Sequence, residues 1–438
     1  MEIPQVPWSL GLVSKRWRDI ALSLSWLWSS FGIHTSNWRY NLIGRKLPDE
    51  SLSAIERVEE QLRRSGQTPL EVTIEGDFSR IPGALDTLRD ACGRWETLSV
   101  RKTSQYLDHI RGRTPLLRRI YVASGNIGGT EPGPVAFEFS STAPGLYDRA
   151  TRRPMDPLMS FGNVDWAHLT RYDGPILWGS YPDLLRQATC LVECSLFSAR
   201  ETPHFPLPAH IFSLPSLRRL RVSSTHCLTI LAAPGLQEFV VDGKRSPDEV
   251  HVIDFLTQSS CTLLRLSLFN FPATQALFLA VPSLQELTIE FNNGATMISL
   301  LENILPVEED SDEPHFLPSL TALSIGDVAR RSLSPAVKAI SARFGTRGRY
   351  RAMEFFGMFV DISMNHSGTQ FPLFPEDTKH LDAMQRDGVK LYFVKGKAKY
   401  DRMRMMDPYS MRRYAEYHNA ELMTNESSAA TSGIWDCA

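Results

Sequence analysis

Cysteine is scarce in this 438-residue chain: six, at 92, 190, 194, 227, 261 and 437, with no CxxC pair and no closely spaced framework. That pattern excludes a disulfide-stapled secreted module and a thiolate zinc site, and points to reduced thiols in a cytoplasmic or nuclear protein. Net charge is lacking as well. With 47 Lys and Arg against 49 Asp and Glu, the formal charge of −2 gives no global attraction to nucleic acid or to an anionic membrane. No uninterrupted apolar run is long enough to span a bilayer, and the N-terminus, with Pro4 and Pro7, lacks the apolar centre of a secretion signal. Signatures of catalysis are missing too. There is no GxSxG elbow, no GxxxxGK(S/T) phosphate loop and no HExxH helix, and Gly125-Asn-Ile-Gly128-Gly129 lacks the glycine spacing and flanking helix of a dinucleotide fingerprint. His226 beside Cys227 is the nearest approach to a metal pair, yet without two further ligands at suitable spacing it reads as a buried structural position. These absences predict no cofactor, no metal, no nucleic-acid partner and no membrane.

What the chain has is a repeated apolar skeleton. With 42% hydrophobic residues it is rich enough for a large core. The step apolar-x-x-apolar-x-apolar occurs at Trp95/Leu98/Val100, Leu117/Ile120/Val122, Leu191/Cys194/Leu196, Leu217/Leu220/Val222, Leu236/Phe239/Val241, Leu263/Leu266/Leu268, Leu284/Leu287/Ile289 and Leu320/Leu323/Ile325. Several copies share a preface, as in LPSLRRLRV, APGLQEFVV, VPSLQELTI and LPSLTALSI. Clear neighbours, such as Leu217, Leu236 and Leu263, follow one another at about 19 to 27 residues, in the range of leucine-rich repeats. The last two apolar positions of each unit predict one face of a short strand, and one unit alone cannot bury them. Stacked neighbours can, at about 1.5–3 kcal/mol for each fully buried aliphatic side chain, so the expected fold is α/β: a leucine-rich-repeat-like solenoid with a parallel sheet. Proline ahead of the strand suits a turn, since it fixes φ and has no N–H to leave unpaired.

The array has interruptions. Gly125 to Pro157, rich in Gly, Pro, Ser and Thr, predicts a long surface loop, followed by a weaker unit from Trp166 to Ile176. The acidic run Glu308, Glu309, Asp310, Asp312 and Glu313 reads as a solvated break. Val337, Ile340 and Phe344 predict a helix; Phe355, Phe356, Phe359, Val360 and Ile362 predict strand or cap material, and Gly388 to Val394 one more strand. The basic stretch Lys395 to Arg413 reads as a solvated terminal helix, and the tail beyond Asn425 as disordered. Ahead of the array, Leu52, Ile55, Val58 and Leu62 mark a helix with Asp49 and Glu50 at its start and Gly66 past its end, then Leu70, Val72 and Ile74 alternate as a strand.

The N-terminal segment Val13 to Trp28, VSKRWRDIALSLSWLW, carries the other concentrated signal. Val13, Trp17, Ile20, Ala21 and Leu24 recur at helical steps of three and four while Lys15, Arg16, Arg18 and Asp19 point elsewhere, so one apolar face is left for a partner. Pro7, Trp8, Leu10, Val13, Trp17, Arg18, Ile20 and Ala21, then Leu27, Trp28, Ser29 and Ser30, resemble the second half of an F-box of the expanded fungal type, PW-x-L-x-x-V-C-x-x-W-R-x-I-A followed by L-W-S-S. Ser14 stands where that family commonly has cysteine, and the family's opening L-P-x-E-I-L-like helix has no counterpart before these residues. LRRSGQTPLEVTIEG is similar to the linker after the F-box in the same families.

The resemblance implies a non-enzymatic substrate-recognition subunit of an SCF-type cullin ubiquitin ligase. On that reading Val13, Trp17, Ile20, Leu27 and Trp28 face a Skp-type adaptor, and the concave repeat surface holds a protein substrate of unknown identity. With the first helix lacking, weak or absent adaptor binding is expected. The implied division is a partial F-box over 1–34, a linker helix and first strand over 35–89, the repeat solenoid over 90–345, a C-terminal cap over 346–424 and a tail over 425–438. The alternative is a leucine-rich-repeat scaffold with no ligase link, in which Trp17 and Trp28 cap the first repeats. A hydrolase built on Cys227 or a serine with His226 is a third class, which nothing in the residue order recommends.

Overall fold

The structure, a computed structural model, describes residues 13–34, 50–75, 82–101, 114–123, 148–151, 166–175, 185–197, 210–243, 248–290, 317–326, 337–338, 340, 354–360 and 375–395. It is a mixed α/β protein whose main ladders are parallel, and the chain divides into two units, Met1–Phe205 and Pro206–Ala438.

The first unit begins with helix α1 (Lys15–Ser23), a 3₁₀ turn at Ser25–Trp28 and strand β1 (Ser30–His34). Helix α2 (Glu50–Ser65), β2 (Leu70–Glu75), α3 (Pro82–Asp90), β3 (Trp95–Arg101), β4 (Arg119–Ala123), β5 (Asp148–Thr151), β6 (Arg171–Pro175) and β7 (Glu193–Phe197) follow. Each strand pairs in parallel with the next in chain order. That pairing sets Phe31, Val72, Leu98 and Ile120 side by side, and Ile33, Ile74 and Val100 beside them, all buried. Helix α2 forms where the apolar spacing predicts it, and Gly66, at φ +54°, ends it in the left-handed conformation that glycine takes without a Cβ clash.

The second unit contains β8 (Phe212–Ser213), β9 (Arg219–Val222), β10 (Leu231–Ala232), β11 (Glu238–Asp242), α4 (Glu249–Ser259), β12 (Arg265–Phe269), α5 (Gln275–Leu279), β13 (Glu286–Glu290), β14 (Ala322–Gly326), β15 (Phe355–Val360), α6 (Pro375–Arg386) and β16 (Lys390–Lys395). Strands β9 and β11 to β16 pair in parallel, each with the next, while β8 and β10 form a separate two-residue ladder. The register aligns the predicted triplets: Leu220, Phe239, Leu266, Leu287, Leu323 and Phe356 form one row, and Val222, Val241, Leu268, Ile289 and Ile325 the next. Every one of these side chains is at most 1% exposed. A strand of this length carries only two or three such residues, so its apolar face is sheltered only by its neighbours.

The proline preface has a definite role. The amides of Leu217, Leu236, Leu284 and Leu320 donate to the carbonyls of Leu214, Ala233, Val281 and Leu317 at 3.0–3.1 Å, closing four-residue turns whose second residue is Pro215, Pro234, Pro282 or Pro318. Proline presets φ there and forfeits no bond. Past the turn, one carbonyl receives two successive amides of the next repeat: Arg218 from Gln237 and Glu238, Gln237 from Leu264 and Arg265, Leu264 from Gln285 and Glu286, Gln285 from Thr321 and Ala322. The turns stack closely enough that a Cβ on Gly235 would lie 2.6 Å from the Pro215 carbonyl oxygen, which is why glycine follows proline at that step.

The structure departs from the sequence expectations in places. Strand β5 lies inside the stretch predicted as a continuous loop from Gly125 to Pro157. Asp-Arg-Ala-Thr shows no apolar alternation, and its strand is set by ladders to β4 and β6 on both sides, a tertiary context that overrides propensity. Helices α3, α4, α5 and α6 have no counterpart among the sequence expectations. Helix α4 is fixed by Asp248, whose side chain accepts from the Val250 amide, and by Val252, Phe255 and Leu256, which are buried, with the Phe255 ring 5.5 Å from Phe239. The weak unit at Trp166 supplies β6, with Leu169 and Tyr172 buried, and β15 and β16 extend the parallel ladder. Val337 and Ile340 are buried as their predicted helix requires. Phe344, Ile362, the acidic run 308–313, the basic residues beyond Lys395 and the tail past Asn425 lie outside the described residues.

Candidate functional site

Helix α1 starts at Ser14, whose extended backbone (φ −160°) and hydroxyl, accepting from the Trp17 amide at 3.2 Å, make it the N-cap. The Ser23 hydroxyl donates back to the Ile20 carbonyl at 2.8 Å, and the helix stops at Leu24. Its apolar face is turned outward. Val13 is 67% exposed, Trp17 48% and Ile20 38%, with Leu22 and, on the 3₁₀ turn, Trp26 also exposed. Lys15, Arg16, Arg18 and Asp19 are exposed around the same helix, so an apolar stripe is framed by mostly basic side chains. Only Ala21 of the helix is buried.

Trp28 is different. Predicted as a surface anchor, it is 1% exposed, and its indole Nε1–H donates to the Ala21 carbonyl at 2.6 Å. The Arg64 guanidinium sits 4.3 Å from the ring centroid, a cation–π contact, and is itself held by Glu60 at 2.7 Å. Gln61 Nε2 donates to the Ser30 carbonyl at 2.8 Å, and the Thr68 hydroxyl to Ser25 Oγ at 2.9 Å. With β1 paired to β2, these contacts build the segment from Ser25 to His34 into the first unit as its first strand. Trp28 is therefore a core residue that ties α1 to the sheet, and the expectation that it contacts a partner is corrected. The physical reason is that a large aromatic with one polar atom is best buried where that atom finds an acceptor, and the free helix carbonyl of Ala21 supplies it. Leu27 is half-buried. Of the predicted anchors, then, Trp17 and Ile20 lie on the exposed side of α1, and Val13 is exposed just before its N-cap.

The sheet face opposite the leucines is not uniform. In the first unit Glu71, Arg119 and Arg171 are exposed and Thr73, Thr97, Ser99, Tyr121, Asp173 and Glu193 half-buried. In the second unit the equivalent face is more covered: Glu238, Val240, Ser267, Phe269, Thr288, Glu290, Ala322, Ser324 and Phe355 are all at 5% exposure or less, while Arg219, Arg221, Asp242, Arg265 and Glu286 are half-buried. Among the described residues the first unit therefore has the more exposed strand face, and alternation alone did not show this, because the polar residues on this face look solvated in sequence.

The other sequence candidates fall outside any site. Cys227 is buried with its thiol donating to the Ser224 carbonyl at 3.1 Å, and the His226 ring packs against His251 at 5.7 Å. Among the described residues, no group of three or more His, Cys, Asp or Glu could hold a metal ion, and no helix is long and apolar enough to cross a membrane. Partial burial pushes the Cys92 and Cys261 thiols above the usual range, which favours their protonated form. No protein-family model matches the sequence, and no curated protein matches it significantly.

Proposed function

We propose that this chain is a non-enzymatic recognition protein that docks through the outward face of α1 onto a Skp-type adaptor of a cullin ubiquitin ligase. The observation that carries the reading is the exposure of Trp17 and Ile20, three residues apart on α1 at 48% and 38%, with Val13 exposed just ahead of the N-cap, on a helix tied to the rest of the unit by the Trp28 hydrogen bond to Ala21. Such an apolar stripe with a basic rim fits a protein interface, where a few aromatic and aliphatic anchors dominate the binding energy. The F-box resemblance of the same residues names the class of partner. The run of parallel strands, one to each leucine triplet, supports the companion proposal of a leucine-rich-repeat-like solenoid. A protein substrate then lies on the strand face of the first unit, near Glu71, Thr97, Arg119 and Arg171, which is the more open of the two. On this reading ubiquitin is transferred by other subunits, in the cytoplasm or nucleus, and the protein uses no cofactor.

The test is capture by a Skp-type adaptor immobilised at high concentration. Capture of the wild-type chain, lost in Trp17→Ala and in Ile20→Asp, is the expected outcome. No capture of any variant would instead leave a repeat scaffold without a ligase link, which is the second reading that the burial of Trp28 favours. Failure of both variants to alter capture removes α1 from the interface.

A further inference from the structure

At the residue that precedes the second inward apolar position, charge alternates from strand to strand along two runs of four neighbouring strands, β4 to β7 and β9 to β13. In the first unit the parallel register sets Arg119 beside Asp148, Asp148 beside Arg171 and Arg171 beside Glu193. In the second it sets Arg219 beside Glu238, Glu238 beside Arg265 and Arg265 beside Glu286. The same order, basic then acidic twice over, thus occurs in each unit. Contacts follow where the side chains are described: Arg171 NH2 lies 3.5 Å from Glu193 Oε1, and Arg219 Nε 2.9 Å from Glu238 Oε2, while Arg265 pairs with the other oxygen of Glu238. The Glu238 side chain is only 4% exposed, so its charge is flanked on both sides at a site largely removed from water.

We propose that these residues form an alternating-charge ladder that specifies which strand lies beside which. The leucine triplets cannot do this. Their skeletons are nearly the same in every repeat, so a strand that skips its neighbour, or slips by two residues, still presents apolar side chains to the core. The charged position discriminates. Skipping β11 puts Arg219 beside Arg265, and skipping β12 puts Glu238 beside Glu286. Either arrangement sets like charges directly opposite each other, which destabilises a strand pair. A two-residue slip of β12 against β11 sets Ser267 or Leu263 in place of Arg265 beside the buried Glu238, and a buried charge that loses a partner is destabilised. The apolar rows make stacking favourable, and the ladder selects one stack among several that bury the same leucines.

Two variants of the full chain with the same composition separate this from simple ion pairing. The inversion Arg219→Glu, Glu238→Arg, Arg265→Glu, Glu286→Arg keeps the alternation; the swap Glu238→Arg, Arg265→Glu breaks it by creating like pairs with Arg219 and with Glu286. Both place arginine at 238 and glutamate at 265, so they differ only in the sign of the neighbours. The inversion is expected to keep a cooperative urea transition of the second unit nearer the wild-type midpoint, and the swap to shift it further down with loss of soluble yield. Equal midpoints for the two, or a swap as stable as wild type, overturn the proposal. Should both fail to fold, Glu238→Gln and Arg265→Gln decide it, singly and together: a double variant that loses less than the sum of the singles supports coupling across the ladder, and additive losses overturn it.

Discussion

Two tryptophans eleven positions apart, Trp17 and Trp28, are assigned opposite roles, and replacing each by alanine separates them. At position 28 a ring that is 1% exposed is deleted, together with the donor to the Ala21 carbonyl and the platform under Arg64. Truncation of a buried aromatic costs about 3–5 kcal/mol. A domain's whole stability is about 5–15 kcal/mol, so Trp28→Ala should remove a large share of that of the first unit. At position 17 the ring is 48% exposed and away from the core, and a surface change of this kind stays within about 0.5 kcal/mol. The assay is urea unfolding of the full chain, followed by far-ultraviolet circular dichroism. Trp28→Ala is expected to move the midpoint of the first unit's transition far down, Trp28→Phe to give an intermediate loss because it keeps a ring and forfeits the N–H, and Trp17→Ala to leave the midpoint in place. Equal loss in Trp17→Ala and Trp28→Ala would refute the division between an outward and an inward tryptophan.

Further outcomes follow from local geometry. Ser14→Ala removes the cap of α1 and should cost about 1 kcal/mol of helix stability, seen as faster amide exchange over Lys15–Ser23. Arg63, donating two bonds to Glu60, holds that carboxyl down from 4.5 to about 2, with Arg64 assisting. Because the folded value is depressed, the contribution is present above the ordinary carboxylate range and is lost as pH falls from about 4.5 toward 2. The difference in stability between wild type and Glu60→Gln should therefore vanish in acid, and it should stay under about 1 kcal/mol at neutral pH because the pair lies at the surface. Gly235→Ala forces a methyl against the Pro215 carbonyl and should cost about 1–3 kcal/mol by urea titration of the second unit. Leu266→Ala, in the middle of the buried row, should cost about 2–5 kcal/mol in the same assay.

Much of the fold was legible because its determinants are local and repeated. The triplet from Leu217 to Leu323 names the buried row residue by residue, and Pro215, Pro234, Pro282 and Pro318 mark the turns, since proline's fixed φ acts within four residues. Strand β5 was hidden because Asp148–Thr151 owes its conformation to strands on either side. Helix α4 carries its own signals, an Asp248 N-cap and Val252, Phe255 and Leu256 at helical steps, but Val250 and Ile253 add apolar residues off that buried side and blur its phase. Of the candidate site, the placing of Trp17 and Ile20 on one side of α1 was readable from spacing, whereas Val13 falls outside the helix because Ser14 caps it. The inward turn of Trp28 was not, because it depends on Arg64, Gln61 and β2, thirty or more residues downstream. The burial of Ser267, Thr288 and Ser324 on the strand face of the second unit was also unreadable, since these residues carry no mark of burial in sequence.

The most direct test of the central claim is a titration of the full chain with a Skp-type adaptor, measured for wild type and Trp17→Ala in the same calorimetric experiment. Loss of an aromatic anchor worth about 2 kcal/mol should weaken binding about 30-fold while leaving the urea midpoint unchanged. Identical binding by the two proteins, or no heat of binding from wild type at any adaptor concentration reached, would contradict docking through the outward face of α1.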